Sequence, residues 1–159
     1  MPIRGSWRAW LMDDIRNAIA AVIRSVPNTG QVHTFERYAN DRSDMKAFYQ
    51  TGTQLLGWNI RRVRTLERSD YLGDWMRSYR WEIRGYLSID DSEMTELQFD
   101  RLIEAICDAF RADDKLGGLV DTCIIGNEAG IQVLESYPVM FAGVLCHSAK
   151  LALNTRINL

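Results

Sequence analysis

Apolar residues near the start of the chain recur at intervals of three and four, as on one side of a helix. The stripe consists of Leu11, Ile15, Ala18, Ile19, Val22 and Val26. The sequence Pro-Asn-Thr-Gly at 27–30 ends this helix and turns the chain. The pattern therefore predicts an amphipathic helix capped by Ser6, followed by a short strand from Gln31 to Arg37.

The segment from Tyr38 to Gly57 has no clean period, because its polar residues are mixed irregularly with Phe48 and Tyr49. An irregular excursion of this length in a compact domain is usually functional or mobile. Its aromatic side chains suggest that the excursion packs on another surface.

Two strands joined by a loop are predicted next. The first strand runs from Trp58 to Arg68, and Ser69 to Trp75 suits a hairpin loop. The second strand alternates with period two, which indicates one buried face and one exposed face. The first of these faces holds Tyr79, Trp81, Ile83, Leu87 and Ile89, and the other holds Arg80, Glu82, Arg84 and Tyr86.

The second helix has the strongest local signals in the chain. Thr95 and Gln98 fit a capping box, and Met94 and Phe99 occupy the positions of a hydrophobic staple. We therefore predict that this helix begins at Thr95. Its apolar stripe is Phe99, Leu102, Ile103, Ile106 and Phe110.

The remainder of the chain is predicted to form strands. A turn at Leu116-Gly117-Gly118-Leu119 leads to strands at Val120–Ile125 and Ile131–Glu135, and a long strand runs from Val139 to about Thr155. One face of that last strand holds Phe141, Leu145, Ala149, Leu151 and Leu153. The element order predicts an α+β fold, a mostly antiparallel β-sheet with two helices packed on it, in a single domain over residues 1–159.

Composition adds only broad limits. Hydrophobic residues make up 47% and charged residues 25% of the 159, and the net charge is −2, which is ordinary for a globular domain. This balance gives no general attraction to nucleic acid or to an anionic membrane. The chain shows no apolar run near the length of a membrane span and no signal-peptide core at its start, so we expect a protein that is made and used inside a cell, or assembled there.

Nucleophile and metal chemistry find little support in the sequence. Cys107, Cys123 and Cys146 lie in apolar stretches without knuckle spacing, which predicts buried, reduced thiols. Cys146 and His147 are neighbours on a predicted strand, so their side chains should point to opposite faces and cannot form a catalytic dyad. His33 is the one other histidine that could supply a base from a different strand.

Two further motifs favour structural interpretations. Asp90, Asp91 and Glu93 could hold a hard cation, but their spacing does not fit a calcium loop, and acids before a helix usually serve its dipole. Gly117 and Gly118 follow a helix and precede a strand, whereas a phosphate loop leads into a helix. We therefore expect a turn at these glycines.

Charged residues are divided between two predicted elements. The hairpin is basic, with Arg61, Arg62, Arg64, Arg68, Arg77, Arg80 and Arg84. The second helix and its flanks are acidic, with Asp90, Asp91, Glu93, Glu96, Asp100, Glu104, Asp108, Asp113 and Asp114. Three interpretations stay open: the charges pair within one chain, they pair head to tail between copies in a ring, or the arginines contact nucleic-acid phosphates.

The order of these elements resembles the tail terminator proteins of long-tailed bacteriophages and the related small neck proteins. The resemblance covers roughly residues 6–155. It rests on the hairpin segment Arg80–Leu87, the acidic capped helix, the turn Leu116–Val120 and the last strand around Gly143–Leu151.

This resemblance implies a structural virion protein, not an enzyme, assembled in the host cytoplasm without metal or cofactor. Six copies would form a ring on the head-proximal end of the tail tube, stop tube growth and offer a surface to the head connector. DNA would pass through the lumen as non-specific cargo. The alternatives are another head–tail adaptor subunit, or a small metal-dependent enzyme that uses Asp90, Asp91 and Glu93.

The resemblance and the charge pattern together predict a subunit interface. On the basic side it would use Arg61, Arg62, Arg64, Arg80 and Arg84, and on the acidic side Glu96, Asp100, Glu104 and Asp108.

Overall fold

The computed structural model describes residues 6–159, with side chains from Trp10 onward. The predicted Ser6 cap therefore lies outside the described side chains. The helices are α1 (Ser6–Ser25), α2 (Arg42–Ala47) and α3 (Thr95–Ala112), with a 3-10 turn at Asp91–Glu93. The strands are β1 (Gln31–His33), β2 (Gln50–Thr51), β3 (Gln54–Tyr71), β4 (Asp74–Ser88), β5 (Ile124–Ile125), β6 (Glu128–Ala129), β7 (Ile131–Phe141) and β8 (Val144–Asn158).

The chain forms a single α+β domain, as the element order predicts. The main sheet has the order β1-β3-β4-β8-β7, in which β3, β4, β8 and β7 are antiparallel and β1 runs parallel to β3. The short β2 pairs with the start of β3, and β5 and β6 form a separate small hairpin. Within residues 6–159, no helix is long and apolar enough to cross a membrane.

The main core lies between the sheet and the two long helices. The predicted stripes of α1 and α3 face this core, and the apolar face of β4 meets them there. Trp58 stacks on Phe99 of α3 with ring centroids 5.7 Å apart, and its Nε1 donates to the Thr29 carbonyl at 2.9 Å. The periodicity of these elements therefore identified the core correctly.

A second apolar cluster lies on the other face of the sheet. Its buried members are Tyr49, Leu55 and Cys146, and Met45 of α2 and the following Phe48 pack against them. Tyr49 makes edge-to-face contacts with Tyr86 and Phe141, at centroid distances of 5.9 and 4.9 Å. The excursion therefore packs through its aromatic residues, as expected, and the surface that it covers belongs to the domain's own sheet.

The predicted last strand, Val139 to Thr155, is wrong because the chain reverses inside it. Ala142 and Gly143 both have positive φ angles, 52° and 78°, and form the two-residue turn between β7 and β8. Such turns match the natural twist of a hairpin. Pro138 lies inside β7, which is the terminal strand of the sheet, and an edge strand tolerates the missing N–H of proline.

The predicted capping box and staple of α3 are also wrong, although the helix does begin at Thr95. Met94 is the N-cap residue, in the left-handed region at φ 54°, and its side chain is exposed and does not cover Phe99. The Thr95 hydroxyl is buried and instead accepts from the Asp90 N–H at 2.9 Å. A hydrogen bond to the segment before the helix therefore replaces the predicted capping box.

Other strand boundaries shift as well. The predicted loop from Ser69 to Trp75 is mostly paired, because Tyr71 and Asp74 are cross-strand partners around a turn at Leu72-Gly73. Conversely, β1 ends at His33, and only Ile124–Ile125 of the predicted strand at 120–125 is extended into a strand. The β3–β4 hairpin is therefore longer than its sequence pattern indicated.

Candidate subunit interface

The sheet separates two surfaces of opposite character. Cross-strand partners share a face, and successive residues of a strand alternate between faces. The helix face of β4 carries Trp81 and Ile83, against α1 and α3. We call the opposite side the open face, of which one end is covered by the Tyr49 cluster and the rest is polar.

Four of the five arginines of the predicted interface lie on the open face. Arg64 is the cross-strand partner of Arg80, and Arg84 and Arg61 belong to the same alternating set. Arg62 differs, because it is paired with Trp81 on the helix face and its Nη1 lies 3.0 Å from the Met12 sulfur of α1. The structure thus brings four of these side chains together and places the fifth elsewhere.

Three of those arginines already have a carboxylate partner in the same chain. Arg80 Nη1 donates to Glu128 at 3.0 Å, and Asn154 Nδ2 donates to the same carboxylate at 2.6 Å. Both hydrogen bonds hold the pKa of Glu128 below its usual value. Arg84 pairs with Glu82 at 2.6 Å, and Arg61 with Glu36 at 3.1 Å. These contacts are partly exposed, so each one stabilises the fold little.

Arg64 is the exception among the open-face arginines. It lies directly opposite Arg80, and within residues 10–159 it forms no ion pair. Like charges at directly opposite positions of an antiparallel pair are destabilising. Arg64 therefore remains available to a carboxylate from outside the chain.

The four acids of the predicted interface form a stripe along the exposed side of α3. Glu96, Asp100, Glu104 and Asp108 recur every fourth residue and are all exposed. Asp108 pairs with Arg111 on the same helix, and the other three form no ion pair within the described side chains. Glu96 and Asp100 also line a cavity of about 130 Å³ with Tyr137 and His147, so the stripe lies on the β7 side of α3.

Charge pairing between the hairpin and α3 within one chain does not occur among the described side chains. The open-face arginines and the acidic stripe lie on opposite sides of the sheet. The interpretation in which these two elements neutralise each other inside one molecule is therefore wrong. Pairing between copies and contact with phosphates are the two interpretations left for Arg64 and its neighbours.

The acidic turn before α3 is an exposed structural turn. The Asp90 carboxylate accepts a hydrogen bond from the Ser92 hydroxyl at 2.7 Å, and Asp91 and Glu93 lie in the 3-10 turn. Among residues 10–159, no group of three or more His, Cys, Asp or Glu side chains is arranged to hold a metal ion. The Gly117-Gly118 segment is a turn as expected, with φ angles of 68° and 89°.

Cys146 and His147 lie on opposite faces, as the strand geometry predicts. Cys146 is buried in the Tyr49 cluster, whereas His147 Nε2 lies 2.9 Å from the Thr95 hydroxyl on the helix face. His33 Nε2 contacts the Phe48 carbonyl at 2.6 Å. Burial raises the pKa of Cys146 and of Cys123 to about 11 each, and the pKa of Cys107 also rises.

These pKa values predict the thiol reactivity of the folded protein. The thiolate is the reactive form, so buried thiols with raised pKa values react slowly. At mildly alkaline pH a thiol reagent should modify only the half-buried Cys107 in the native state and all three cysteines after denaturation. Mass spectrometry of the labelled protein checks this, and rapid native labelling of Cys146 would contradict the buried second cluster.

Sequence patterns missed one exposed feature of the hairpin. Every residue from Arg61 to Trp75 is exposed, including the large apolar side chains of Leu66, Tyr71, Leu72 and Trp75. The pattern there predicted a strand end and a hairpin loop, so a basic surface was expected but an exposed apolar surface was not. The one signal that could have indicated it is a Tyr-Leu pair at the position of a hairpin turn, where polar residues and glycine are usual.

No protein-family model matches the chain, and a search of the curated proteins found no match. The geometry of the chain's own residues is therefore what bears on its function.

Proposed function

We propose that this protein is a structural subunit of a phage virion, which assembles into a six-membered ring on the head-proximal end of the tail tube. The ring ends tube growth and provides the surface that the head connector joins. The resemblance in element order suggests this role. One structural observation carries the assembly part of it, namely the separation of basic and acidic surfaces by the sheet.

That separation favours contact between copies. A basic surface on one side of a subunit and an acidic stripe on the other are complementary only when a second subunit is placed head to tail with the first. A heterologous contact of this kind forms a ring when its rotation closes. Arg64 has an unneutralised charge opposite Arg80, and Glu96, Asp100 and Glu104 have none of the hairpin arginines within reach.

Electron microscopy with tail tubes tests the role directly. The purified protein is mixed with growing tubes of the tail tube protein from the same phage. We expect one end of each tube to carry a ring with six times the 18.3 kDa mass of one chain, and we expect tube length to stop increasing. Tubes that continue to grow without a cap would contradict the proposal. Binding to connector proteins but not to tubes would favour a neighbouring adaptor subunit instead.

Charge reversal at Arg64 tests the contact between the basic surface of one copy and the acidic stripe of the next. Arg64→Glu should reduce tube capping about tenfold or more, because it places a carboxylate opposite the acidic stripe, and it should leave the melting temperature of the monomer nearly unchanged. Lys115→Glu is the matched control, since it reverses one exposed charge at the end of α3. Equal capping by both variants would exclude Arg64 from the interface.

Arg80 and Arg84 are poorer positions for such a test than Arg64. Charge reversal at either one would place two carboxylates together, at Glu128 or at Glu82. Such variants would disturb the sheet of the monomer as well as any assembly. Arg64 avoids that ambiguity because it has no carboxylate partner among the described side chains.

A further inference from the structure

The second half of β3 is an exposed edge of the sheet, and the β3–β4 turn extends beyond Met76 and Asn158, the last residue pair of β4 and β8. We define this exposed segment, residues 61–75, as the arm. The neighbouring strand β1 pairs only with Gly57 to Asn59, so the edge of β3 is unpaired along the arm within the described residues. This edge is interrupted by bulges at Val63 and Asp70 and carries several arginines. Bulges and charged side chains both discourage the pairing of a further strand. The arm is therefore suited to contacts through its side chains.

The end of the arm carries large apolar side chains that are exposed to solvent in one copy. Leu72 is 107% exposed and Tyr71 76% exposed, at the point where the hairpin turns. Trp75 is half exposed next to them. Clustered exposed apolar side chains usually mark an interaction site.

A surface of matching character lies at the start of α3. Met94 is 62% exposed and Leu97 47% exposed, and acidic residues border them at Glu93 and Glu96. Met140 and Leu145 are exposed cross-strand partners nearby, joined to the segment before α3 by a hydrogen bond from the Ile89 N–H to the Leu145 carbonyl at 3.0 Å. We call this apolar, acid-bordered surface the α3 corner.

The arm and the α3 corner of one copy cannot meet. The tip of the arm directly precedes the first residue of β4, whereas the α3 corner follows its last residue. The two ends of a strand with 15 residues are roughly 45 Å apart. Any contact between them joins two different copies.

The spacing between basic residues along the arm matches the spacing between acidic residues along α3. Arg64 and Arg68 lie on one face of the arm, roughly 13 Å apart for four residues of strand. Asp100 and Asp108 lie on one side of α3, roughly 12 Å apart for eight residues of helix. If Arg68 faces Asp100 and Arg64 faces Asp108, the arm continues past Arg68 towards the start of α3, where Met94 and Leu97 are exposed.

We infer that the arm docks along α3 of a second copy of this chain, with Leu72 and Tyr71 against the α3 corner and Arg64 and Arg68 against the acidic stripe. The biological role of this contact depends on the proposed ring. The evidence for its geometry is independent of that role, because it consists of the complementary charged and apolar surfaces alone.

Disulfide cross-linking between two chains that each carry one introduced, exposed cysteine tests the contact. Leu72→Cys and Leu97→Cys chains, both in a Cys107→Ala background, are mixed and oxidised gently, with and without tail tubes. We expect the Leu72→Cys and Leu97→Cys chains to form a disulfide-linked dimer at least tenfold faster than a control pair of Leu72→Cys and Asn127→Cys chains. Asn127 lies in the exposed β5–β6 turn. Equal rates for the two pairs overturn the inference, whether or not the tubes are capped.

A second variant separates assembly from folding. Leu72→Ser removes a side chain that nothing covers in the monomer, so the melting temperature should stay unchanged while capping falls about tenfold or more. Leu72→Met keeps the apolar side chain and should cap normally. Absent capping by the wild type contradicts the proposed function, whereas normal capping by Leu72→Ser contradicts only the arm contact. Salt-sensitive DNA binding that needs Arg64 and Arg68, without the cross-link, would assign the arm to nucleic acid instead.

Discussion

Replacement of Gly85 by alanine should destabilise the protein by about 3 kcal/mol and lower its melting temperature by roughly 10 °C. A Cβ atom at this position would lie 2.2 to 2.6 Å from three carbons of the Trp58 ring. That ring cannot move away easily, because it is fully buried, stacks on Phe99 and donates a hydrogen bond to the Thr29 carbonyl. Thermal or denaturant unfolding of the two proteins measures the difference.

Backbone strain and steric overlap can be separated with a second glycine. Gly85 has no positive φ angle, so an alanine there suffers only from the ring. Gly52 has a φ of 61°, and a Cβ atom there would meet nothing within 4 Å, so Gly52→Ala should cost only the strain, about 1 kcal/mol. In a Trp58→Leu background, Gly85→Ala should cost less than about 1 kcal/mol, because its partner is gone. An unchanged cost there would contradict the overlap with Trp58.

Replacement of Tyr49 by alanine should open the second cluster while the main core stays folded. The Tyr49 side chain is fully buried between the excursion and the open face, and its loss should cost about 3 kcal/mol. We expect Cys146 to react with a thiol reagent in the native state of this variant, since Tyr49 and Cys146 belong to the same buried cluster. Cys123 belongs to the main core and should stay protected.

Tyr49→Phe is the matched control for that experiment. It keeps the ring but removes the hydroxyl, which accepts a hydrogen bond from Asn59 Nδ2 at 3.0 Å. Asn59 is buried and its Oδ1 has no hydrogen-bond partner in the described part of the chain, so the variant leaves a second polar atom unsatisfied at a cost of about 1 to 2 kcal/mol. Cys146 should remain protected. If Cys146 is equally slow to react in Tyr49→Ala, the excursion does not depend on Tyr49 for its position.

The spacing of apolar residues was enough to predict those helices and strands whose apolar side is also their buried side. The stripes of α1 and α3 and the alternation of β4 place Ile15, Phe99 and Trp81 in the core because side-chain direction follows directly from helix or strand geometry. The same rule separated Cys146 from His147 without any knowledge of the sheet. Fold class followed from the order of these elements.

Tertiary structure decided the features that depend on residues distant in the sequence. The turn at Ala142-Gly143 lies inside a continuous apolar run, because both of the strands that it joins pack apolar residues against one core or the other. Thr95 contacts His147, which is 52 residues away, so the local capping box had no way to indicate its real partner.

The candidate interface shows the same division. Sequence alone separated the charges into a basic hairpin and an acidic helix, since residue type and position are enough for that. Only the fold decided that Arg80 is neutralised by Glu128, 48 residues away, that Arg64 is not neutralised by any described side chain, and that the sheet lies between Arg64 and α3. The physical reason is that a charge is local to its residue, whereas its neutralisation depends on which distant strands the packing brings together.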